Sequence, residues 1–408
     1  MASVDASRHG DIVVLTLDNP PVNGFGWQQR RQLVEAIDTA AADPTVAGIV
    51  VTGAGTVFSG GADIREFGKA ESMASPHLLD VIGVAEACTK PVVAAIGGTC
   101  MGGGLEFALG CHGRVALAEA RVALPEAKIG LVPGAGGTQR LPRAVGLETA
   151  MNMIVSGEPV AARRLAQTSL FDAVVEENVI QAGVDVARKL AASARPLPRT
   201  RDRSVDHRDA EAYIQSTRTT VQAQFSREPA RLQCVEAVAG SLKAFDEGML
   251  QERRLFVMLM ATPESQSLRH AFFAERAASK IADVPADTPT RTIAQVGVIG
   301  AGTMGGGISM NFLNAAIPVT LVETSQEALD RGVATIRKNY ENSARKGKLT
   351  SEAVETRMGL LHPTLDFSSL ATCDLVIEAV FEDIDVKREV FQRLDAVAKP
   401  GAILASNT

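Results

Sequence analysis

Gly97–Cys111 reads GGTCMGGGLEFALGC, three consecutive glycines at 102–104 running directly into an apolar, helix-forming segment. Glycines just ahead of a helix let the backbone turn sharply and leave amide N–H groups exposed, where negative charge is favoured. Glu106 falls in the first turn of that expected helix, among Leu105, Phe107, Ala108 and Leu109. A lone carboxylate in such apolar company is costly unless it has a use. Upstream, PVVAAIGG (Pro91–Gly98) reads as a buried strand ended by glycine, and AGIVVTG (Ala47–Gly53) has the same form. Asp11–Leu17 (DIVVLTL) is a β-branched strand stopped by Asn19-Pro20-Pro21, and Trp27–Ala42 carries a helical pattern. Strands alternating with helices predict an α/β layered fold. A second glycine segment, FSGGADI, occupies Phe58–Ile64. Downstream, RVALPEAKIGLVPGAGGTQRLPR (Arg121–Arg143) places Glu126 after a strand-like run and Pro125.

A chain of 408 residues, at roughly 150 per domain, predicts two to three domains. An apolar fraction of 46% and a charged fraction of 22% are ample for a buried core and exclude a disordered chain, a collagen-like fibre or a disulfide mini-protein. The net charge of -6 argues against nucleic-acid binding, which needs a basic face. Cys88, Cys100, Cys111, Cys234 and Cys373 form no CxxC pair, which fits a reducing compartment. No apolar run approaches the ~18 residues of a membrane span. The first residues, MASVDASRHG, lack a secretory signal, so the expected location is cytoplasmic. The histidines show no metal-ligand spacing, and no metal is expected.

Composition shifts at Arg188–Arg208, where prolines and arginines gather into what reads as a solvated connector. A helical stretch follows from Glu211 to Ala282, and VPADTPT (Val284–Thr290) is a linker signal. The expected organisation is therefore 1–190, a helical linker region at 191–290, and a third region at 291–408.

FSGGADI, GGTCMGGGLEFALGCHGRVA and LPEAKIGLVPGAGGTQRLPR, in this order, resemble the crotonase superfamily, and within it the enoyl-CoA hydratases. The resemblance covers roughly the first 190 residues and implies a ββα-spiral domain. It implies an acyl-CoA substrate whose thioester oxygen sits between the backbone N–H groups of Ala62 and Gly103, with Ile64 beside it. It also implies that Glu106 activates a water and Glu126 protonates the α-carbon, for syn addition across the 2,3-double bond without a cofactor. Such an addition builds negative charge on the thioester oxygen, which preorganised N–H donors stabilise. Two carboxyl groups in complementary roles suffice for the proton transfers. Arg65 is a candidate for a CoA phosphate, and the helix with Phe272, Phe273 and Lys280 resembles one that closes over the acyl pocket. Main activity as a Δ3,Δ2-enoyl-CoA isomerase, or a catalytically silent CoA- or NAD-binding scaffold, are the alternatives.

The second constellation is VGVIGAGTMGGGISMNFLNAAIPVTLVE. A strand (Val296–Ile299) feeds Gly300, Gly302 and Gly305 in GxGxxG order, then a helix, then a strand (Val319–Val322) ending at Glu323. Those glycines permit the tight turn and the approach of a pyrophosphate, and the acid bonds ribose hydroxyls, which favours NAD over NADP. DLVIEAVFEDIDVKREVF (Asp374–Phe391) resembles the NAD domain of L-3-hydroxyacyl-CoA dehydrogenases. By that resemblance Met304, Val380, Glu382 and Lys387 approach the cofactor. Together the two parts resemble the multifunctional enzymes of fatty-acid β-oxidation, with a thiolase or a second copy of the chain as implied partners. The Rossmann region is expected to be incomplete, because those enzymes carry a catalytic histidine and partnering glutamate after the SNT at 406–408. His362 sits in no matching motif, so the dehydrogenase half is expected to be inactive.

Overall fold

The computed structural model describes the chain apart from Met1 and residues 71–73, 279–280, 282 and 286. It divides into two compact units, Met1–Ile281 and Ala282–Thr408.

Strands of the first unit are β1 Ser3–His9, β2 Ile12–Asp18, β3 Gly48–Gly53, β4 Val57–Ser59, β5 Val92–Ile96, β6 Thr99–Met101, β7 Gly113–Leu117, β8 Arg121–Ala123, β9 Val160–Ala161 and β10 Ala173–Val175. A long strand followed by a short one recurs in β3–β4, β5–β6 and β7–β8, each pair leading into helical turns. The long strands join a six-stranded sheet ordered β1-β2-β3-β5-β7-β10, parallel except at β1–β2. The short ones join a second sheet, β4-β6-β8-β9. This is the ββα spiral. Buried on both faces, β5 is the uninterrupted apolar run VVAAI rather than an alternating one.

The spiral positions the site. β4, β6 and β8 lie parallel and adjacent, pairing Ser59 with Cys100 and Cys100 with Val122. Ala62, Gly103 and Glu126 each follow the carboxyl end of one of these strands within three residues, so they emerge side by side.

Two expectations are corrected here. The helical region placed at 191–290 as a linker belongs to the first unit as far as Ile281. Its helix Pro229–Ala239 presents Ala230, Cys234, Val235, Ala237 and Val238 to the same core as Leu141 and Ile154. Ala230, Cys234, Ala237 and Val238 make the i, i+4, i+7, i+8 stripe of a core-facing helix, and Val235 widens it. Nor is the Arg188–Arg208 stretch simply a solvated connector. Arg201 lies 3.6 Å from the buried Glu86 and stacks 4.5 Å above the Phe245 ring, and Thr200 is buried. Arg188, Arg199, Arg201 and Arg203 have partners within the fold, which composition alone does not reveal.

The second unit holds β11 Val296–Ile299, β12 Val319–Val322, β13 Leu361–Thr364, β14 Leu375–Glu378 and β15 Ile403–Ser406. They form a parallel sheet ordered β13-β12-β11-β14-β15, with apolar clusters around Leu321 and Ile336 and around Val376 and Leu394. Strand order reverses between β11 and β14, the place where open α/β sheets bind ligands.

Candidate active site

The loops after β4 and β6 meet backbone to backbone. Gly61 has φ +99°, and a Cβ there would stand 2.8 Å from the Met101 carbonyl oxygen and 2.9 Å from the Gly103 nitrogen. A Cβ on Gly103 would stand 3.0 Å from the Ala62 nitrogen and 2.6 Å from the Leu78 side chain. Only glycine permits this approach. It sets the Ala62 and Gly103 amides close together, and among the described residues no protein acceptor receives either one. Ile64 is half-buried and opens the 3-10 turn Ile64–Glu66. Arg65, the candidate for a CoA phosphate, pairs with Asp63 at 2.7 Å, so its guanidinium is already engaged. Phe272 is half-buried, Phe273 is 36% exposed, and Lys280 lies outside the described residues.

Glu106 and Glu126 are brought together in unlike surroundings. Glu106, in the helix Gly103–Gly110, is buried, and its Oε1 accepts the amides of Ala135 at 2.7 Å and Gly137 at 2.9 Å. Burial pushes its pKa up, opposed by those two amides and by Arg140. Glu126 opens the 3-10 turn Glu126–Ile129 and lies against Gly102, and its buried Oε2 has no hydrogen-bond partner among the described residues. Burial raises its pKa well above the usual carboxylate range, and the charges of Glu106 and Glu252 add to the rise. Both carboxyls are thus pushed toward the acid form, but the amides and Arg140 restrain the rise at Glu106 while negative neighbours add to it at Glu126, so Glu106 is the readier base and Glu126 the readier acid.

Sequence reasoning missed Glu252. This fully buried carboxylate, on the helix Phe245–Met260, accepts the Gly136 amide at 2.7 Å and the Thr138 amide at 2.9 Å, with the Thr138 hydroxyl as a third donor. Burial, then the charge of Glu106, pushes its pKa up to about 8. The only signal was an acidic residue on a half-apolar helix, and FDEGMLQERRLF contains two others, Asp246 and Glu247.

In the second unit the glycine turn runs from β11 into the helix Thr303–Asn314. Gly300 has φ +101°, and a Cβ there would stand 2.5 Å from the Ala379 carbonyl oxygen, which places Val380 against the turn. At Gly302 an added Cβ would meet nothing within 4 Å, whereas at Gly305 it would strike the Gly300 carbonyl oxygen at 1.8 Å. Glycines forced by packing on either side of one facing open space fit the approach of a pyrophosphate to a helix N-terminus. Glu323 Oε1 accepts the Ala301 amide at 2.9 Å, which fixes the acid at the turn. Met304 is 57% exposed at the start of the helix. Lys387 bridges Glu382 at 3.2 Å and the fully buried Glu378 at 2.9 Å. Burial pushes the Glu378 pKa up, but its bonds to Lys387 and Ser406 outweigh that and hold it ionised.

Comparison with known proteins agrees with both halves. A family profile described as enoyl-CoA hydratase/isomerase matches residues 7–248. One described as 3-hydroxyacyl-CoA dehydrogenase, NAD binding domain, matches residues 295–408. A peroxisomal bifunctional enzyme of Danio rerio is 35% identical over 97% of this chain and 55% of its own length. The human peroxisomal bifunctional enzyme is 36% identical over 98% and 56%. A peroxisomal fatty acid beta-oxidation multifunctional protein of rice is 36% identical over 97% and 56%. The chain therefore spans about half the length of these relatives. A crystal structure of an enoyl-CoA hydratase/isomerase from Pseudoalteromonas atlantica T6c shares the fold, with a TM-score of 0.50 and 22% identity over 67% of this chain and 97% of that one. Among the described residues no helix is long and apolar enough to cross a membrane. From the glycine loops, the glutamates and these matches it follows that the chain belongs to the enoyl-CoA hydratase/isomerase family and carries behind it the NAD-binding domain of a 3-hydroxyacyl-CoA dehydrogenase.

Proposed function

We propose that the first unit adds water across the 2,3-double bond of a 2-enoyl-CoA in fatty-acid β-oxidation. The observation that carries this reading is the pair of buried glutamates in unlike electrostatic surroundings beside two unengaged amides. The thioester oxygen accepts from the Ala62 and Gly103 N–H groups, where charge develops as the C–O bond forms; losing one such donor costs about 3–4 kcal/mol. Both amide bonds to Glu106 land on Oε1, which leaves Oε2 to orient water and take its proton. Glu126 enters as the acid and delivers its proton to the α-carbon, and proton exchange with solvent resets both groups. Isomerisation of 3-enoyl-CoA needs only one group to shuttle a proton, so a retained pair favours hydration.

In the second unit, Gly300, Gly302, Met304, Gly305, Glu323, Val380, Glu382 and Lys387 would hold NAD, which when bound accepts a hydride from a 3-hydroxyacyl-CoA. That transfer also needs a base for the hydroxyl proton. The histidine of this unit, His362, is exposed on β13, two strands away from β11. The 408-residue chain on its own therefore hydrates without reducing NAD. The free cysteines, four of them buried, fit a reducing compartment, read as cytoplasmic from the sequence, whereas the relatives' names place those proteins in peroxisomes.

Supplying 2-enoyl-CoA, 3-enoyl-CoA, and 3-hydroxyacyl-CoA with NAD to the purified chain tests all of this. Hydration is expected with the highest kcat/KM, and NADH is not expected to form. Faster turnover of 3-enoyl-CoA would make isomerisation the main activity, and no turnover of any thioester would leave a binding scaffold.

A further inference from the structure

Four consecutive backbone amides are shared alternately between two buried carboxylates. Ala135 and Gly137 donate to Glu106, while Gly136 and Thr138 donate to Glu252, all at 2.7–2.9 Å. The alternation is built into the turn, because Gly136 has φ +96° as the chain enters the helix Gly137–Val145, so neighbouring amides diverge. Glu252 lies 114 residues beyond Thr138 in sequence and comes from the helical stretch that packs onto the spiral.

The residue type matters. Three donors converge on Glu252, two amides and the Thr138 hydroxyl, and the two oxygens of its carboxyl group divide them, Oε1 taking Gly136 and Oε2 taking Thr138. A buried carboxylate is expensive to keep where an apolar side chain would pack. A cap for one helix could be made from a neutral side chain, as helix N-caps commonly are.

We propose that Glu252 is a positioning residue of the hydration site: by clamping Gly136 and Thr138 it aims the Ala135 and Gly137 amides at Glu106 and so holds that carboxylate in its working orientation. The proposal rests on the hydration reading for its consequence, but the clamp itself can be tested without turnover. The titratable and charged groups around the clamp are Glu106, Glu126 and Cys234, with Arg140 bearing on Glu106.

The experiment is to compare the full chain with its Glu252→Gln and Thr138→Val variants in two ways. Crotonyl-CoA hydration across pH gives kcat and KM, and 13C NMR of the glutamate carboxyls gives the titrations of Glu106 and Glu126. In Glu252→Gln, kcat should fall about 10- to 100-fold, the cost of a misplaced catalytic group, with KM nearly unchanged. The Glu126 titration and the basic limb of the rate profile should both move to lower pH, because a neighbouring negative charge is gone. Thr138→Val should shift kcat in the same direction by severalfold, and it carries the test if Glu252→Gln does not fold. A helix cap with no role in the site would lower thermal stability while leaving in place kcat per folded molecule in both variants and the Glu106 titration in Thr138→Val, where the Glu252 carboxyl is kept. That result would overturn the proposal. An inactive wild type whose Glu106 titration still moves in Thr138→Val would sink the hydration reading while the clamp stands. An inactive wild type with an unmoved Glu106 titration in Thr138→Val would sink both.

Discussion

At the scale of single residues, two glutamates of the same chemistry are separated by what surrounds them. Glu106 has two amides on one oxygen, while Glu126 has an oxygen with no partner among the described residues and two negative neighbours. This has a consequence for stability. A carboxyl whose pKa is raised in the folded state binds more protons there than in the unfolded chain, so folding is penalised as pH climbs past the ordinary value near 4.5. For Glu252 that loss accumulates up to about pH 8 and then levels off. The first unit should therefore unfold at a lower temperature at pH 8 than at pH 5, and Glu126→Gln should flatten that decline while it removes activity. Calorimetry at the two pH values checks this, and an unchanged decline in the variant would count against the charge assignment. Glu106 and Glu126 were legible in the sequence because each lies beside a local backbone pattern, a glycine run or Pro125. Glu252 was not, since what distinguishes it is a turn more than a hundred residues away.

At the scale of elements, the site depends on short strands delivering their following residues to one place. The long strands β2, β3, β5, β11 and β12 were legible as apolar runs, and so was the helix Trp27–Ala42. β4 and β6 have three residues each, too few for any periodicity to register, whereas the equally short β8 was legible as the strand-like run ahead of Pro125. β1 was missed for another reason: as an edge strand it is mostly exposed and polar, SVDASRH. The contact between the loops after β4 and β6 makes a prediction. Gly103→Ala adds a methyl 3.0 Å from the Ala62 nitrogen and 2.6 Å from Leu78, which must part the two amides. Turnover of crotonyl-CoA should fall by about 10²-fold or more, the usual weight of one oxyanion donor, while binding of free CoA changes far less. Parallel losses in turnover and in CoA affinity would point to general misfolding instead.

At the scale of the molecule, the division follows burial more than composition. The boundary near 190 read from the arginines has no structural counterpart, because the helices beyond it complete the first core and supply Glu252. The VPADTPT stretch, by contrast, follows closely on the boundary at Ile281/Ala282. A chain ending at residue 190 would expose the surfaces that Cys234, Val235 and Val238 cover. It should therefore fail to give a cooperative unfolding transition, whereas 1–281 should fold and hydrate crotonyl-CoA at the rate of the full chain. Circular dichroism melts of the two fragments separate these outcomes, and a cooperative 1–190 fragment would restore the earlier boundary. NAD should raise the unfolding temperature of the second unit, and Gly302→Val should abolish that rise by filling the space at the glycine turn.

The account rests on Glu106 and Glu126 acting as base and acid on one water. The most direct test is the initial rate of crotonyl-CoA hydration by the full chain and by Glu106→Gln and Glu126→Gln, each variant first shown to be folded by its melt. Glutamine keeps the volume and removes the proton transfer, so each rate should drop about 10²- to 10⁴-fold, the range for losing one acid–base group. Near-wild-type rates in both folded variants would contradict the mechanism.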